Sequence, residues 1–390
     1  MKRLLLKGSF IAYLLIGLEI FIMISPFAAY FYTLYSPIIN FLYASKYTSW
    51  LTEFFLPHFV FIDNPVIKFI GMLQFLTFFS GIALFFYAAI PLYYSKFMKK
   101  GIVTKGIYCR IRHPQYLGLG IAGFGLLLYW PRFLILLTYV TMLFVYYLLA
   151  RNEEQRMISK YGKGYKDYMD SVPMFLPKNI GEKIFNLVFG NLKSKTIAIV
   201  VLYLFIVLTS TGVALLLRNY SISILNMKKI DGLSVITVLP MDINKLENII
   251  KPILERDETR KIMEDKKASL AYVMPSDFFL MAILTDLERL YPIEFEKPSG
   301  GNTVTRFFRI FISYTKFQMG MYPEEHGLKR IIFVSVRDRD NKYSGSKSIF
   351  SLGAKRYPVF HMDIDENGKI IFVKALKPGH KWGDIPMPVF

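Results

Sequence analysis

Twenty-two consecutive residues, Thr196–Leu217, carry no charged side chain. As a helix such a run is about 33 Å long, enough to cross the hydrocarbon layer of a bilayer. Lipid offers no partners to backbone N–H and C=O groups, so an apolar run of this kind must form a helix. Four more apolar runs precede it, at about 10–35, 66–94, 114–130 and 133–150. The last two are each near the shortest length that spans a bilayer, about 17 residues. Only Pro131 and Arg132 separate them, which predicts a tight helical hairpin. The first run exceeds a signal-peptide core and is expected to stay as a span. The expected fold is therefore an α-helical polytopic membrane domain of about five transmembrane helices over 1–217.

Charge orients these spans. The chain has a net charge of +19 and is 53% hydrophobic. Residues 1–217 hold 21 Lys/Arg against 8 Asp/Glu, so +13, and residues 218–390 hold 27 against 21, so +6. The basic residues of the apolar half fall between the spans, which argues for topology and against nucleic-acid binding. The N-terminus, the 94–115 linker and the 151–195 segment hold 3, 6 and 9 Lys/Arg; the two opposite connections hold one each, Lys46 and Arg132. Eighteen against two predicts an integral protein of the cell membrane with its N-terminus and both basic segments in the cytoplasm. With five spans, residues 218–390 then lie outside. In the outer connection, Ser49–Phe61 reads as a short interfacial helix and His58 as an interfacial residue.

Residues 218–390 change period. Ser234–Leu239, Arg306–Tyr314, Arg330–Arg337, Val359–Ile364 and Lys369–Leu376 read as strands, and 243–266 and 276–291 as helices, with Ser276 and Asp277 as the cap. A soluble α/β (α+β) domain with a largely antiparallel sheet follows. Asp363–Lys369 resembles half of a calcium loop. Lys374 occupies the place of the bidentate Glu, however, so a β-hairpin turning at Asn367-Gly368 is the better account. Cys109 is the single cysteine, which excludes internal disulfides and Cys-rich zinc sites. His326, His361 and His380 have no partners at metal-ligand spacing, so no metal is expected.

Two polar clusters interrupt the apolar half. Arg112, His113, Pro114 and Tyr116 stand at the mouth of the third run, and Arg151, Glu153 and Glu154 follow the fourth. Polar groups are costly there and mark function. Gly118, Gly120, Gly123 and Gly125 spell G-x-G-x-x-G, but no strand precedes them, so they read as helix-packing residues and not as a dinucleotide loop. Tyr161, Tyr165 and Tyr168 fall on one face of an expected amphipathic helix ended by Pro173 and Pro177. Glu19 is a further polar residue inside the first run.

The ordered set G-I-Y-x-x-I-R-H-P-Q-Y-L-G (Gly106–Gly118), a helical hairpin, Glu153-Glu154, Y-G-x-x-Y-x-x-Y (Tyr161–Tyr168) and V-P-x-F-x-P (Val172–Pro177) resembles the integral-membrane methyltransferases. These include the isoprenylcysteine carboxyl methyltransferases and the phospholipid methyltransferases. The resemblance covers about 66–180. It implies S-adenosylmethionine as cofactor, and a lipophilic or lipidated acceptor entering from the bilayer at the cytoplasmic face. It places Arg112, His113, Pro114, Tyr116 and Leu117 on one wall of the cofactor site and Glu153 and Glu154 on the other, with Arg112, Arg151 and Glu154 as catalytic residues. Family members often carry Arg four residues before the glutamate pair; here Leu149 stands there and Arg151 two before. The acceptor's chemistry, carboxylate or amine, stays open. So does any protein partner of the C-terminal domain.

The residue chemistry is compatible. Arg and His at a helix start suit a carboxylate, glutamates suit ribose hydroxyls or an amine, and Tyr suits adenine. Two alternatives share some of these features. One is an NADPH-dependent membrane reductase of the sterol type, which has a similar R-H-P-x-Y segment. The other is a non-enzymatic anchor or sensor for the outer domain.

Overall fold

The computed structural model describes residues 17–28, 36–58, 60–176, 194–276, 312, 328–344, 348–365 and 367–376. The expected strand Arg306–Tyr314 (Ile312 apart), most of the helix 276–291, and His326 and His380 lie outside them. The described residues fall into two compact units. The first is built from 73–130 and 134–213 with the N-terminal residues, and the second from 35–72, 131–133 and 214–390.

Helices α1 (Gly17–Ala28), α2 (Ser36–Ala44), α3 (Pro65–Phe97), α4 (Pro114–Tyr129), α5 (Phe133–Tyr161), α6 (Lys163–Ser171) and α7 (Lys195–Ser223) follow one another. Among the described residues, three helices are long and apolar enough to cross a membrane: α3, α5 and α7. The chain is an integral membrane protein with a helical membrane region. Of the five expected spans, the second, fourth and fifth are these three helices. Helix α4 has 16 residues, about 24 Å, and the described part of the first run is the short apolar helix α1.

Helix α4 is largely buried. Gly118, Ala122 and Gly125 lie at i, i+4 and i+7 and meet the backbone of α3. A Cβ on Gly118 would lie 2.7 Å from Phe85 N, and one on Gly125 2.6 Å from Gln74 O and Phe78 N. Gly123 faces the other way, against Tyr139 and Met142 of α5. Small residues let backbones approach to van der Waals contact, which drives helix association in lipid. The G-x-G-x-x-G run is thus a two-sided packing surface.

Helix α5 continues past the expected end of the fourth span for about three turns, to Tyr161. The expected single amphipathic helix after it is broken. Gly162 has φ +59°, a left-handed backbone that separates Tyr161 on α5 from Tyr165 and Tyr168 on α6.

The second unit holds a six-stranded sheet in sequence order: β1 (Met227–Ile230), β2 (Leu233–Thr237), β3 (Ala268–Pro275), β4 (Lys329–Arg337), β5 (Lys355–Ile364) and β6 (Ile370–Ala375). All neighbours are antiparallel except β2 and β3. That parallel pair needs a crossover, supplied by α8 (Ile243–Leu254) and α9 (Asp257–Lys266). Asp242 caps α8 by accepting from Asn244 and Lys245 N–H. Leu246, Ile250 and Ile253 of α8 pack on Val235, Ala271, Phe333 and Phe360, which forms the core. Strands β1 and β3 had no counterpart in the expected set. The Asp363–Lys369 segment is the expected hairpin turn: Asp365 accepts from Asn367 and Lys369 N–H, and Gly368 has φ +76°.

The connection between the first two apolar runs differs from expectation. Only Ser49–Thr52 is helical, as a 3-10 turn. His58 is buried, 1% exposed, and stacks on Phe54. Backbone bonds Phe55 N to Pro131 O and Phe133 N to Glu53 O replace helical ones. The buried Glu53 carboxylate accepts from Arg218 Nη2 at 2.6 Å and from Gly353 N at 2.7 Å. The aromatic segment is therefore protein core within this unit and not an interfacial helix. Its side chains bury against protein, and a fixed cation compensates its one acid.

Candidate active site

His113 occupies the residue before α4, and Pro114 starts the helix, where its missing N–H costs nothing. The backbone N–H groups of Arg112 and His113 do not stay free for an anion. They donate to Pro173 O at 2.9 Å and Met174 O at 3.1 Å. The V-P-x-F segment thus runs as a clip along the start of α4.

The Arg112 side chain tightens the clip. Its Nη1 donates to Met169 O and Val172 O, and its Nε donates to Glu154 Oε1 at 2.7 Å. His113 Nε2 lies 3.2 Å from the same Glu154 oxygen. Glu154 is 4% exposed, so it is a buried counterion of Arg112 that also contacts His113. Glu153, one position along the helix, does something else. Its Oε1 accepts a 2.5 Å hydrogen bond from the Tyr116 hydroxyl, and its Oε2 lies 3.7 Å from His113 Nδ1. Adjacent helical positions diverge by about 100°, yet both carboxylates reach the Arg112–Tyr116 segment because that segment curves into a helix start.

Two cavities flank this junction. The polar one, about 660 Å³, is lined by Glu153, Arg112 and His113, by tyrosines that include Tyr108, Tyr165 and Tyr168, and by cations at its rim. Burial pushes the hydroxyls of Tyr108, Tyr165 and Tyr168 upward, that of Tyr168 to about 12, so all three stay neutral donors at neutral pH. Tyr168 donates to Tyr108 O at 2.6 Å, which holds α6 over the cavity. The second cavity, about 470 Å³, is lined almost wholly by apolar and aromatic residues of α4 and α5, with Thr77 and Phe175. Tyr116 lines it and Phe175 lies 5.9 Å, ring to ring, from His113. The Tyr116–Glu153 hydrogen bond is therefore the partition between the two.

The expected residues divide accordingly. Arg112, His113, Pro114, Tyr116, Glu153 and Glu154 come together. Leu117 faces the apolar cavity. Arg151 is exposed, with its guanidinium 5.9 Å from the Tyr147 ring, and lines neither cavity. Tyr108, Tyr168 and Phe175 were not singled out as site residues, although the quoted motifs contain them.

The motif residues Arg112, His113, Tyr116, Glu153 and Glu154 all lie in one segment that the comparisons identify. Residues 66–164 match the phospholipid methyltransferase family model. This segment is similar to the phospholipid methyltransferases, a membrane methyltransferase family. The matched stretch runs from the start of α3 to the start of α6, and so holds both halves of the junction. The clip Val172–Phe175 lies beyond it. No curated protein and no solved structure matches the chain significantly.

The matched segment can be tested against the donor that methyltransferases of this kind use. S-adenosylmethionine has a carboxylate, an amine, ribose hydroxyls, an adenine and a sulfonium. The polar cavity offers matching groups. His113 Nδ1 is buried on its wall without a hydrogen-bond partner, Arg112 Nη2 makes no hydrogen bond, and Glu153 keeps Oε2 free of one. A buried orphan polar atom beside a cavity is a place for a ligand atom. The residues fit the group.

Proposed function

We propose that the protein transfers a methyl group from S-adenosylmethionine to a lipophilic or amphiphilic acceptor at the cytoplasmic membrane face. The observation that carries this is the pair of unlike cavities meeting at Tyr116 and Glu153. A polar chamber suits a charged, water-soluble donor, and an apolar one suits the chain of a lipid. The match of residues 66–164 to phospholipid methyltransferases supports the same reading.

The donor, when bound, supplies an electrophilic methyl on sulfur. The protein's own residues bind, orient and exclude water. Glu153, His113 and Arg112 Nη2 hold polar groups in the larger cavity, and Tyr108, Tyr165 and Tyr168 enclose it. Glu154 contacts neither cavity, so it positions Arg112 and His113. Leu117 and Phe175 hold the acceptor's apolar part. Holding nucleophile and methyl in line in a dry site is the main source of rate in such a displacement. Glu153 stands at the partition, where it can take the proton that an amine, thiol or hydroxyl acceptor loses.

Positive-inside charge supports a cytoplasmic N-terminus and site, with residues 1–217 as the membrane part and 218–390 outside. Cys109 is exposed and is the single cysteine, in the linker before α4. A membrane-impermeant maleimide should label it in inside-out vesicles and not in intact cells. Labelling in intact cells would reverse the orientation.

Activity is tested by incubating purified protein with methyl-labelled S-adenosylmethionine and a total lipid extract, and identifying the labelled product by mass. Transfer lost in Glu153→Gln and His113→Ala is the expected result. Tight NADPH binding with no S-adenosylmethionine binding would reject the proposal.

A further inference from the structure

Helix α1 lies outside the segment that matches the family model, 66–164. It nevertheless supplies part of the polar cavity's wall, through Glu19 and Met23. Glu19 forms ion pairs with two cations of the methyltransferase segment. One is Lys96 at the end of α3; the other is Arg156 on α5, with Nη1 3.9 Å from Glu19 Oε1. Lys99 and Lys160 line the same cavity. Arg112 is already matched by Glu154, so the remaining charges are these four cations against Glu19 and Glu153. An excess of positive charge in a concave wall attracts an anionic group. Glu19 sits against the cations that such a group would meet.

We propose that Glu19 is a specificity-determining residue of this cavity: its carboxylate competes with an oxyanion of the ligand for Lys96 and Arg156, and so sets how tightly that oxyanion is held. The oxyanion is either the carboxylate of S-adenosylmethionine or a phosphate or carboxylate on the acceptor's head. The proposal rests on the methyltransferase reading only for the identity of the ligand. The ion pairs are half-exposed and screened by water, so the effect is modest.

The test uses full-length protein in neutral detergent, with Glu19→Gln and Lys96→Gln. Binding is measured for S-adenosylmethionine, for its decarboxylated analogue, and for dodecyl phosphate as an anionic amphiphile. Glu19→Gln should tighten the oxyanion ligand by about two- to fivefold, and Lys96→Gln should weaken it by a similar factor. Tightening of S-adenosylmethionine but not of its decarboxylated analogue assigns the oxyanion to the donor. Tightening of dodecyl phosphate alone assigns it to the acceptor. If Glu19→Gln weakens all three ligands and lowers the unfolding temperature, Glu19 is only a packing contact and the proposal falls. Unchanged affinities, or no binding of any of the three, overturn it as well. If the unaltered protein binds no S-adenosylmethionine while dodecyl phosphate responds as expected, the role of Glu19 stands and the methyltransferase reading fails.

Discussion

The Tyr116 hydroxyl donates a 2.5 Å hydrogen bond to Glu153 Oε1 and so ties α4 to α5 at the wall between a polar and an apolar cavity. Hydrogen bonds to a charged acceptor contribute about 1.5–3 kcal/mol. Removing this one leaves Glu153 free to turn away from the partition. Tyr116→Phe should lower the methyl-transfer rate by about ten- to a hundredfold while changing S-adenosylmethionine affinity much less. Equal losses in rate and affinity would mean that Tyr116 serves the donor and not the junction.

The Arg112–Glu154 pair is buried, with side chains 10% and 5% exposed. Removing one partner strands the other in a dry site. Glu154→Ala should cost about 3–5 kcal/mol of stability and unpin the Val172–Phe175 clip, because Arg112 also holds the Met169 and Val172 carbonyls. The unfolding temperature in detergent, together with limited proteolysis after Ser171, reads both effects. Glu154→Gln keeps the hydrogen bonds and should retain more stability than Glu154→Ala. The reverse order would remove Glu154 from its supporting role.

Helix α4 meets α3 backbone to backbone at Gly125. Gly125→Val should prevent this approach, leaving little folded protein after purification. Gly164, on exposed α6, has nothing within 4 Å of an added Cβ. Gly164→Ala should be neutral or stabilising by about 0.5–1 kcal/mol. Fluorescence-detected size exclusion separates the two outcomes, and a well-folded Gly125→Val protein would contradict the packing described.

Arg330 and Asp363 face each other across β4 and β5 with two 2.6 Å hydrogen bonds. Burial alone raises the Asp363 carboxyl, but the fork from Arg330 outweighs it and holds the group below its ordinary value. Burial lowers His361 on the same strand. The sign is the same for both: the unfolded chain takes up protons first, so stability falls as pH falls. The His361 part begins below about pH 6.5, and the Asp363 part is complete above about pH 3.9 and lost as pH drops through the folded value. Thermal unfolding of the full-length protein from neutral to acid pH should show this decline. His361→Asn should flatten it just below about pH 6.5. An unaltered slope in that variant would exclude His361.

Much of the candidate site was legible because its motif residues are adjacent in sequence. Arg112-His113-Pro114 and Glu153-Glu154 stand at the ends of apolar runs, where a polar group needs a reason. The division of labour between the glutamates was not legible. It depends on how the chain curves into α4 before it meets α5, and no spacing rule carries that. Arg151 belongs to the same helix and the same charge class, yet it points to Tyr147 and away from both cavities. Helical phase relative to a neighbour decides such differences. His58 and Glu53 show the converse. Their aromatic surroundings suited an interfacial helix, but Arg218, 165 residues away along the chain, supplies the counterion that makes burial favourable.

By itself the sequence determined that this chain enters a membrane, where its charges lie, that two polar clusters stand at the ends of its apolar runs and which family they resemble. Those properties follow from hydrophobic runs and local motifs, which are set by neighbouring residues. Only the tertiary structure decided that Glu154 is a buried counterion while Glu153 borders a cavity. It also decided that α1 brings Glu19 to that cavity and that Tyr116 divides two chambers of unlike polarity. These depend on contacts between residues far apart in the chain, and distance in space is a property of packing that no single stretch contains.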